Sequence, residues 1–350
     1  MNGGRVTLAG VAKATGKSAQ TVSKILNGGQ STTNVGEATR ALVLETAARL
    51  GYRPNSLARV LRQGRMGSLG MLVSDNSHRS YLPSDFILGA VTEAELSGFD
   101  IKLAHYADEA LLGEDDLPRV FREIMVDGLL VNYFDNSAAT ASLCSRMREH
   151  RVPAVWLNRD MPEDSVYFDD YGAGREMAAM MLEGGLRQVA YVDLMGRLDT
   201  HYSRRQRPRG FADRVREAGL EPELLLDAVP PRSQPAFLRE WFAARPGLEA
   251  VVCYGDDSLT SVFAAAVSFG RRVGEDFFVG FFGSNDALPT YPRYVMVQDN
   301  RRFGVEAVRM LAEKLERPDR PLPSRMVTFL RSAPPAANTT PDEVLQEVAQ

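Results

Sequence analysis

From Leu69 onward the chain alternates short apolar runs with amphipathic ones. "LGMLVS", "IKLAHY", "GLLVNYF", "PAVWLN", "QVAYVDL", "AVVCYG" and "FFVGFFG" have strand length and composition. Segments such as "FILGAVTEAELSG" and "GREMAAMMLEGG" between them have helical periodicity. This alternation predicts parallel sheets covered by helices on both faces. Any ligand then belongs in the crevice at the carboxyl ends of the strands. At 350 residues the chain exceeds one small core, so two or three domains are expected. No internal repeat stands out, and the only biased tract is the Pro/Ala-rich "SAPPAANTTP".

Charge separates the first 65 residues from the rest. They hold ten Lys/Arg (Arg5, Lys13, Lys17, Lys24, Arg40, Arg49, Arg53, Arg59, Arg62, Arg65) against Glu37 and Glu45, whereas the remainder holds 31 basic and 43 acidic residues. A basic head on an acidic body points the head, and not the body, at a polyanion.

The head reads as short helices. Thr7 caps a helix to about Thr15 with Val11 and Ala12 inward, and Gly16 makes the turn. Ser18 caps a second helix in which Val22, Ile25 and Leu26 share the buried face. A third helix runs from about Glu37 to Leu50, lined by Val43, Ala47 and Leu50 and stopped by Gly51. The layout is a helix-turn-helix. The second helix turns Ala19, Gln20, Ser23, Lys24 and Asn27 outward, with no carboxylate among them. Gln20 can bond adenine, Lys24 can donate to guanine, and Ala19 can touch a thymine methyl. Ser18, Thr21, Ser23 and Asn27 suit phosphate contacts. Thr7, Thr39 and Tyr52 complete the DNA-facing set.

"GYRPNSLARVLRQGR" follows. Asn55 is a good cap for a short helix to about Gln63, with Leu57, Ala58 and Leu61 in an apolar stripe. About nine residues fall short of the ~12–15 that sustain an isolated helix. A twin from a second chain is the natural support, and Leu61 is the candidate minor-groove wedge.

"VTLAGVAKATGKSAQTVSKILNG", "TRALVLETAARLGYRPNSLARVLRQGR" and "LGMLVSD" resemble the LacI/GalR regulator family. The resemblance implies an all-α helix-turn-helix head plus an α/β two-lobed, periplasmic-binding-protein-like (type I) body. It implies a DNA-binding domain over 1–54, a hinge helix and linker over 55–67, an effector-binding and dimerisation domain over 68–340, and a tail over 341–350. Lobe one takes about 68–167 and 298–324; lobe two takes about 168–295 and 325–340, including the strand "MVTFL". Ala19, Gln20 and Lys24 become base readers, Asn55 and Ala58 hinge residues, and Leu61 the lever. The chain departs from the family at Gly10, Lys17, Lys24 and Gly36 and in the longer loop "GGQSTTN". The implied protein is a cytoplasmic homodimeric repressor on a pseudo-palindromic double-stranded operator, controlled by a small-molecule effector, a sugar or sugar acid.

Polar residues after the strands are the effector candidates: Ser74, Asp75, Asn132, Asn158, Arg159, Asp256, Gln298 and Asp299. Each also reads as an ordinary cap or turn residue. The resemblance selects Asn132, Asn158, Asp256 and Gln298, and Ser74 stays in the set on its strand-end position. It makes Arg207, in "RPRGF", a bidentate clamp on a hydroxyl pair or carboxylate. Phe282 stands where the family carries an acceptor Asp. Phe86, Tyr106 and Trp156 are stacking candidates whose default role is core packing.

The alternatives are a sugar receptor without a DNA role and an enzyme on the same body. The chain lacks G-x-x-x-x-G-K-[ST] and G-x-S-x-G, and His78, His105, His150 and His201 have no metal spacing. No catalysis, cofactor or metal is expected. Adjacent acids such as Asp169-Asp170 and Asp256-Asp257 read as caps. No apolar run reaches the ~20 residues of a membrane helix, and the first residues lack a signal-type apolar core. Cys144 and Cys253 are expected to be buried free thiols. "PDEVLQEVAQ" at the end is too short for a tetramerising coiled coil.

Overall fold

The computed structural model describes residues 6–26, 35–53, 65–74, 80, 82–106, 123, 125–132, 138–196, 201–283 and 294–332. They form two units, Met1–Met66 and Gly67–Gln350. No described helix is long and apolar enough to cross a membrane.

The first unit contains α1 (Leu8–Thr15), α2 (Ala19–Leu26) and α3 (Glu37–Leu50). The Thr7 hydroxyl accepts the Gly10 N–H, and Gly16 (φ 64°) and Gly51 (φ 68°) close α1 and α3 in the left-handed region. Val11, Ala12, Val22, Ile25, Val43 and Ala47 form one small core. Leu50, expected inside, is instead exposed, and Thr46 is buried in its stead. The last turn of α3 runs past a core only three helices thick.

The second unit has two six-stranded sheets. Sheet one contains β1 (Ser68–Ser74), β2 (Asp100–Tyr106), β3 (Gly128–Asn132), β4 (Ala154–Leu157), β5 (Ser165–Phe168) and β11 (Arg325–Val327) in the order β11-β5-β4-β3-β1-β2, all parallel. Sheet two contains β6 (Val189–Val192), β7 (Glu223–Leu225), β8 (Ala250–Cys253), β9 (Phe278–Gly283), β10 (Tyr294–Gln298) and β12 (Phe329–Ser332) in the order β12-β10-β9-β8-β6-β7; only β12 is antiparallel. The helices are α4 (Ser84–Leu96), α5 (Ala138–Glu149), α6 (Asp170–Glu183), α7 (Ser203–Glu217), α8 (Gln234–Ala243), α9 (Asp256–Ser268) and α10 (Asn300–Glu316).

The chain passes between sheets three times: from β5 into α6, from β10 into α10, and from β11 into β12. The third passage corrects the sequence reading. "MVTFL" is not one strand of lobe two. Arg325–Val327 pairs with β5 in lobe one, and Phe329–Ser332 pairs with β10 in lobe two. Thr328 alone separates them, so an apolar run read as one strand serves two sheets. β5, β7 and β10 were absent from the strand list; β7 is only three residues long, and the others lie at lobe crossings.

One apolar cluster runs through both lobes, and its aromatic members form a continuous line. Phe86 meets Phe303, Phe303 stacks on Phe168 (4.6 Å, 19°), Phe168 meets Phe329, Phe329 meets Phe282, and Phe282 meets Tyr191. Phe86 and Trp156 are buried core residues, and Tyr106 packs against a satellite cluster. Cys253 is buried and Cys144 half-buried, and neither is in a disulfide; burial raises the Cys144 thiol pKa.

Candidate functional site

In the head, α2 buries Val22 and Ile25 and exposes Ala19, Gln20 and Lys24. Ser18 accepts the Thr21 N–H at 3.1 Å, and its hydroxyl lies 2.9 Å from that of Thr21. These two hydroxyls pin the first turn of α2 while remaining at its surface. Thr7 is exposed and already caps α1; Thr21, Ser23 and Thr39 are half-buried. Tyr52 is half-buried and packs against the head core. Asn27, Asn55, Ala58 and Leu61 lie outside the described residues.

In the body, Asn158, Arg207 and Phe282 join one cluster between the lobes. Asn158 follows β4 of lobe one with φ 56°. Two residues preceding α7 of lobe two reach it. The His201 Nε2–H donates to the Asn158 carbonyl (3.0 Å), and the Tyr202 hydroxyl lies 3.2 Å from Asn158 Oδ1. Tyr202 also accepts the Phe168 N–H (3.0 Å). The relay continues inward: the Ser203 hydroxyl donates to His201 Nδ1 (2.6 Å) and accepts from the Tyr254 hydroxyl (2.8 Å). Burial depresses the His201 pKa to about 4, against the pull of Asp170, so the imidazole is neutral.

Arg207 is 7% exposed. Its Nε–H donates to Asp170 Oδ1 (2.5 Å) and Nη1–H to the Tyr254 carbonyl (3.1 Å). Its guanidinium lies over Phe282 (4.6 Å) and Tyr254 (4.9 Å). Burial alone would lower its pKa, but Asp170 holds the pKa above the ordinary value. One turn earlier, Arg204 Nη1 donates to both carboxylate oxygens of Asp193 (2.7 and 2.5 Å) and stacks over Tyr254 at 4.1 Å. The Tyr191 hydroxyl is buried with no hydrogen-bond partner, and the Tyr202 hydroxyl interacts with the Asp170 carboxylate.

The other candidates are placed differently. Ser74 and Asn132 end β1 and β3 and are joined by Ser80, which accepts the Ser74 N–H (2.8 Å) and donates to the Asn132 carbonyl. Gln298 ends β10 opposite Phe329. Asp256 begins α9; its side chain and the whole of Asp75 lie outside the described set. Arg159 lies over the Trp156 ring at 4.8 Å. Asp299 is a cap, accepting the Arg302 N–H, and so is Asp169, accepting the Gly172 N–H.

Reading the Asp169-Asp170 pair as caps therefore holds for Asp169 and fails for Asp170, which pairs with Arg207. Asp193 and Tyr254 were also missed, although each directly follows a strand and the same strand-end rule reaches both. His201 and Tyr202 carry no sequence signal, because they precede a helix rather than follow a strand. No group of three or more potential metal ligands occurs among the described residues.

Residues 7–55 match the family model for bacterial regulatory proteins of the lacI family, and residues 178–331 match a periplasmic binding protein-like domain. The chain is 27% identical to the transcriptional regulator RegA of Clostridium saccharobutylicum, over 88% of this chain and 92% of that protein. It is 28% identical to the regulator PtxS of Pseudomonas plecoglossicida, over 95% and 97%. Among solved structures, the Lac repressor bound to ONPG in the repressed state superposes with TM-score 0.70 at 22% identity, covering 94% of this chain and 99% of that one. A CelR–cellobiose complex gives 0.60 at 23% identity, over 94% and 99%.

Proposed function

The chain belongs to the LacI family of bacterial transcriptional regulators, and from that premise we propose a homodimeric repressor whose operator affinity is set by a sugar or sugar derivative held between the two lobes. The observation that carries the DNA half is α2, whose apolar side closes the head core while Ala19, Gln20 and Lys24 stand outside. Gln20 and Lys24 read bases, Ala19 supplies an apolar contact, and Ser18, Thr21 and Ser23 fix the register on phosphate. Asn27, Thr7, Thr39 and Tyr52 complete the contact set, and Asn55, Ala58 and Leu61 form the hinge. Each neutralised phosphate steepens the log–log salt dependence by roughly 0.9.

Two features of lobe one support a dimer. β2 is an edge strand, and Leu103 on it is 63% exposed. The packed helix α4 turns Ile87, Leu88 and Val91 to solvent. A twofold pairing of such faces presents two heads to a pseudo-palindromic site.

In the cleft, Asn158 from lobe one and Arg207 with Phe282 from lobe two form the ligand contacts, flanked by Ser74, Asn132, Asp256 and Gln298. His201 and Tyr202 already hold Asn158 from the opposite lobe. A ligand competing for these groups alters the angle between lobes. A coupling of ~1–3 kcal/mol then suffices to regulate the DNA-binding state. Gel shift of promoter fragments, with and without a sugar panel, tests the proposal. The expected result is retention of one native fragment over random duplex at ~10⁻⁸–10⁻¹¹ M, changed by one panel member. Equal retention of random duplex overturns it.

A further inference from the structure

Lobe one contains a cavity of about 410 Å³ that is separate from the interlobe cluster. Small-molecule sites ordinarily measure ~300–1,000 Å³. The cavity lies at the amino end of β4, against Pro153 and Ala154, whereas Asn158 and the cleft lie at the carboxyl end. The four residues of β4 put about 10 Å of strand between the two places. β4 is also three places along sheet one from the edge strand β2, so a dimer formed through β2 and α4 leaves the cavity open.

The lining is amphipathic. Met147, Val152, Ala154, Trp156 and Met161 supply apolar surface, and the two thioethers adapt to the shape of a ligand. Lys314 and Asp164, also in the wall, neutralise each other at 2.8 Å. Four further charges are not neutralised in this way. Arg148 and Arg151 line the cavity from the end of α5, Glu163 from the connection between β4 and β5, and Asp319 from beyond α10. None of these four joins an ion pair among the described residues. Two uncompensated positive and two uncompensated negative charges therefore border one apolar cavity. A ligand of one sign meets only half of that lining and is repelled by the rest. A ligand with an apolar body and both charges meets all of it.

We propose that this cavity is a second ligand site, independent of the cleft, for a zwitterion with a large apolar side chain, namely a hydrophobic α-amino acid. Its carboxylate binds Arg148 and Arg151, its ammonium binds Glu163 and Asp319, and its side chain packs on Met147 and Met161. The connection that borders the cavity with Met161, Glu163 and Asp164 begins at Asn158, which His201 and Tyr202 hold from the opposite lobe. Arg151, Asn158 and Asp164 (φ 51°, 56° and 52°) are the non-glycine residues with left-handed backbone among the described ones, and all three flank β4. Tertiary contacts thus fix the shape of the segment that joins the cavity to the cleft.

The test is calorimetric titration of the full-length protein with L-leucine, L-methionine and L-phenylalanine. Each is paired with its amine-only and acid-only analogues: isoamylamine and 4-methylpentanoate, 3-(methylthio)propylamine and 4-(methylthio)butanoate, phenethylamine and 3-phenylpropanoate. At least one amino acid is expected to bind, with both of its one-charge analogues weaker by roughly tenfold or more. Its binding is expected to protect Cys144, which also lines the cavity, from N-ethylmaleimide. Arg148→Gln combined with Arg151→Gln, both at exposed positions, is expected to lower affinity by roughly tenfold or more and to leave the melting temperature unchanged. Failure of all three amino acids to bind overturns the inference. So does an analogue that binds as tightly as its parent, binding that leaves Cys144 unprotected, or unchanged affinity in the double variant. The titrations and Cys144 protection on the unaltered protein decide the question even if the double variant fails to fold. Selection of a native promoter fragment and its response to sugars are measured separately, so these outcomes leave the family-level function standing.

Discussion

Arg207 of α7 and Phe86 of α4 occupy equivalent places in the two lobes. Each stands three residues before a glycine, Gly210 and Gly89, that abuts a carbonyl of the neighbouring crossover helix, Tyr171 and Arg301 respectively. In return, the carbonyls of Arg207 and Phe86 abut glycines of those crossover helices, Gly174 and Gly304 respectively. Both crossover helices begin with a capping aspartate, Asp169 and Asp299, followed by a buried polar residue, Asp170 and Asn300. The scaffold is thus built twice and furnished differently. Lobe two holds an ion pair at this place, and lobe one an aromatic contact between Phe86 and Phe303.

The glycine contacts predict the first outcome. Gly174→Ala drives a methyl group into the Arg207 carbonyl, which cannot yield without parting α6 from α7. A loss of about 1–3 kcal/mol is expected in urea unfolding of the body. Gly247→Ala, in the same unit and with nothing within 4 Å, is the control and should change stability by less than about 0.5 kcal/mol.

Removing Arg207 leaves Asp170 buried and unpaired. Arg207→Ala is therefore expected to cost about 3–5 kcal/mol of body stability and to abolish the ligand response. Operator affinity measured below the new melting temperature should stay near that of the unaltered protein. A retained ligand response would remove Arg207 from the site.

His201 predicts a pH dependence. Its pKa is about 4 folded, and its ordinary value near 6.5 applies to the unfolded chain. Between these values the unfolded state binds more protons, so stability falls as pH drops from about 6.5 to 4 and this contribution is constant above. The full effect is on the order of 3 kcal/mol. Thermal melts across that window should show it, and His201→Gln should flatten the curve.

On α2, Gln20→Ala and Lys24→Ala are each expected to weaken operator binding by ~1–3 kcal/mol and to relax base preference at one position. Ser18→Ala should weaken all duplexes alike, and should also destabilise the head by about 1 kcal/mol, because Ser18 caps α2. Competition binding against operators substituted one base pair at a time separates the two patterns.

Head and body were legible to different depths. Spacing alone defined the head: Thr7, Gly16, Ser18 and Gly51 act over three or four residues, and the core of Val11, Val22, Val43 and Ala47 follows from helical period. The alternating body gave parallel sheets but not their seams. The split of "MVTFL", the short β7 and the strands at the crossings depend on partners distant in sequence.

Local physics therefore determined what the chain could read unaided: helix ends, the exposed face of α2, the basic head, and a crevice at strand ends. Tertiary structure decided the rest. The duplication of the lobes survives only as paired backbone approaches at Gly89, Gly174, Gly210 and Gly304, too sparse to appear as a sequence repeat. Asp169 and Asp170 are adjacent acids with identical local signals, yet one caps its own helix and the other meets an arginine 37 residues away. A cap is satisfied within three residues, whereas an ion pair needs a partner that only folding brings near.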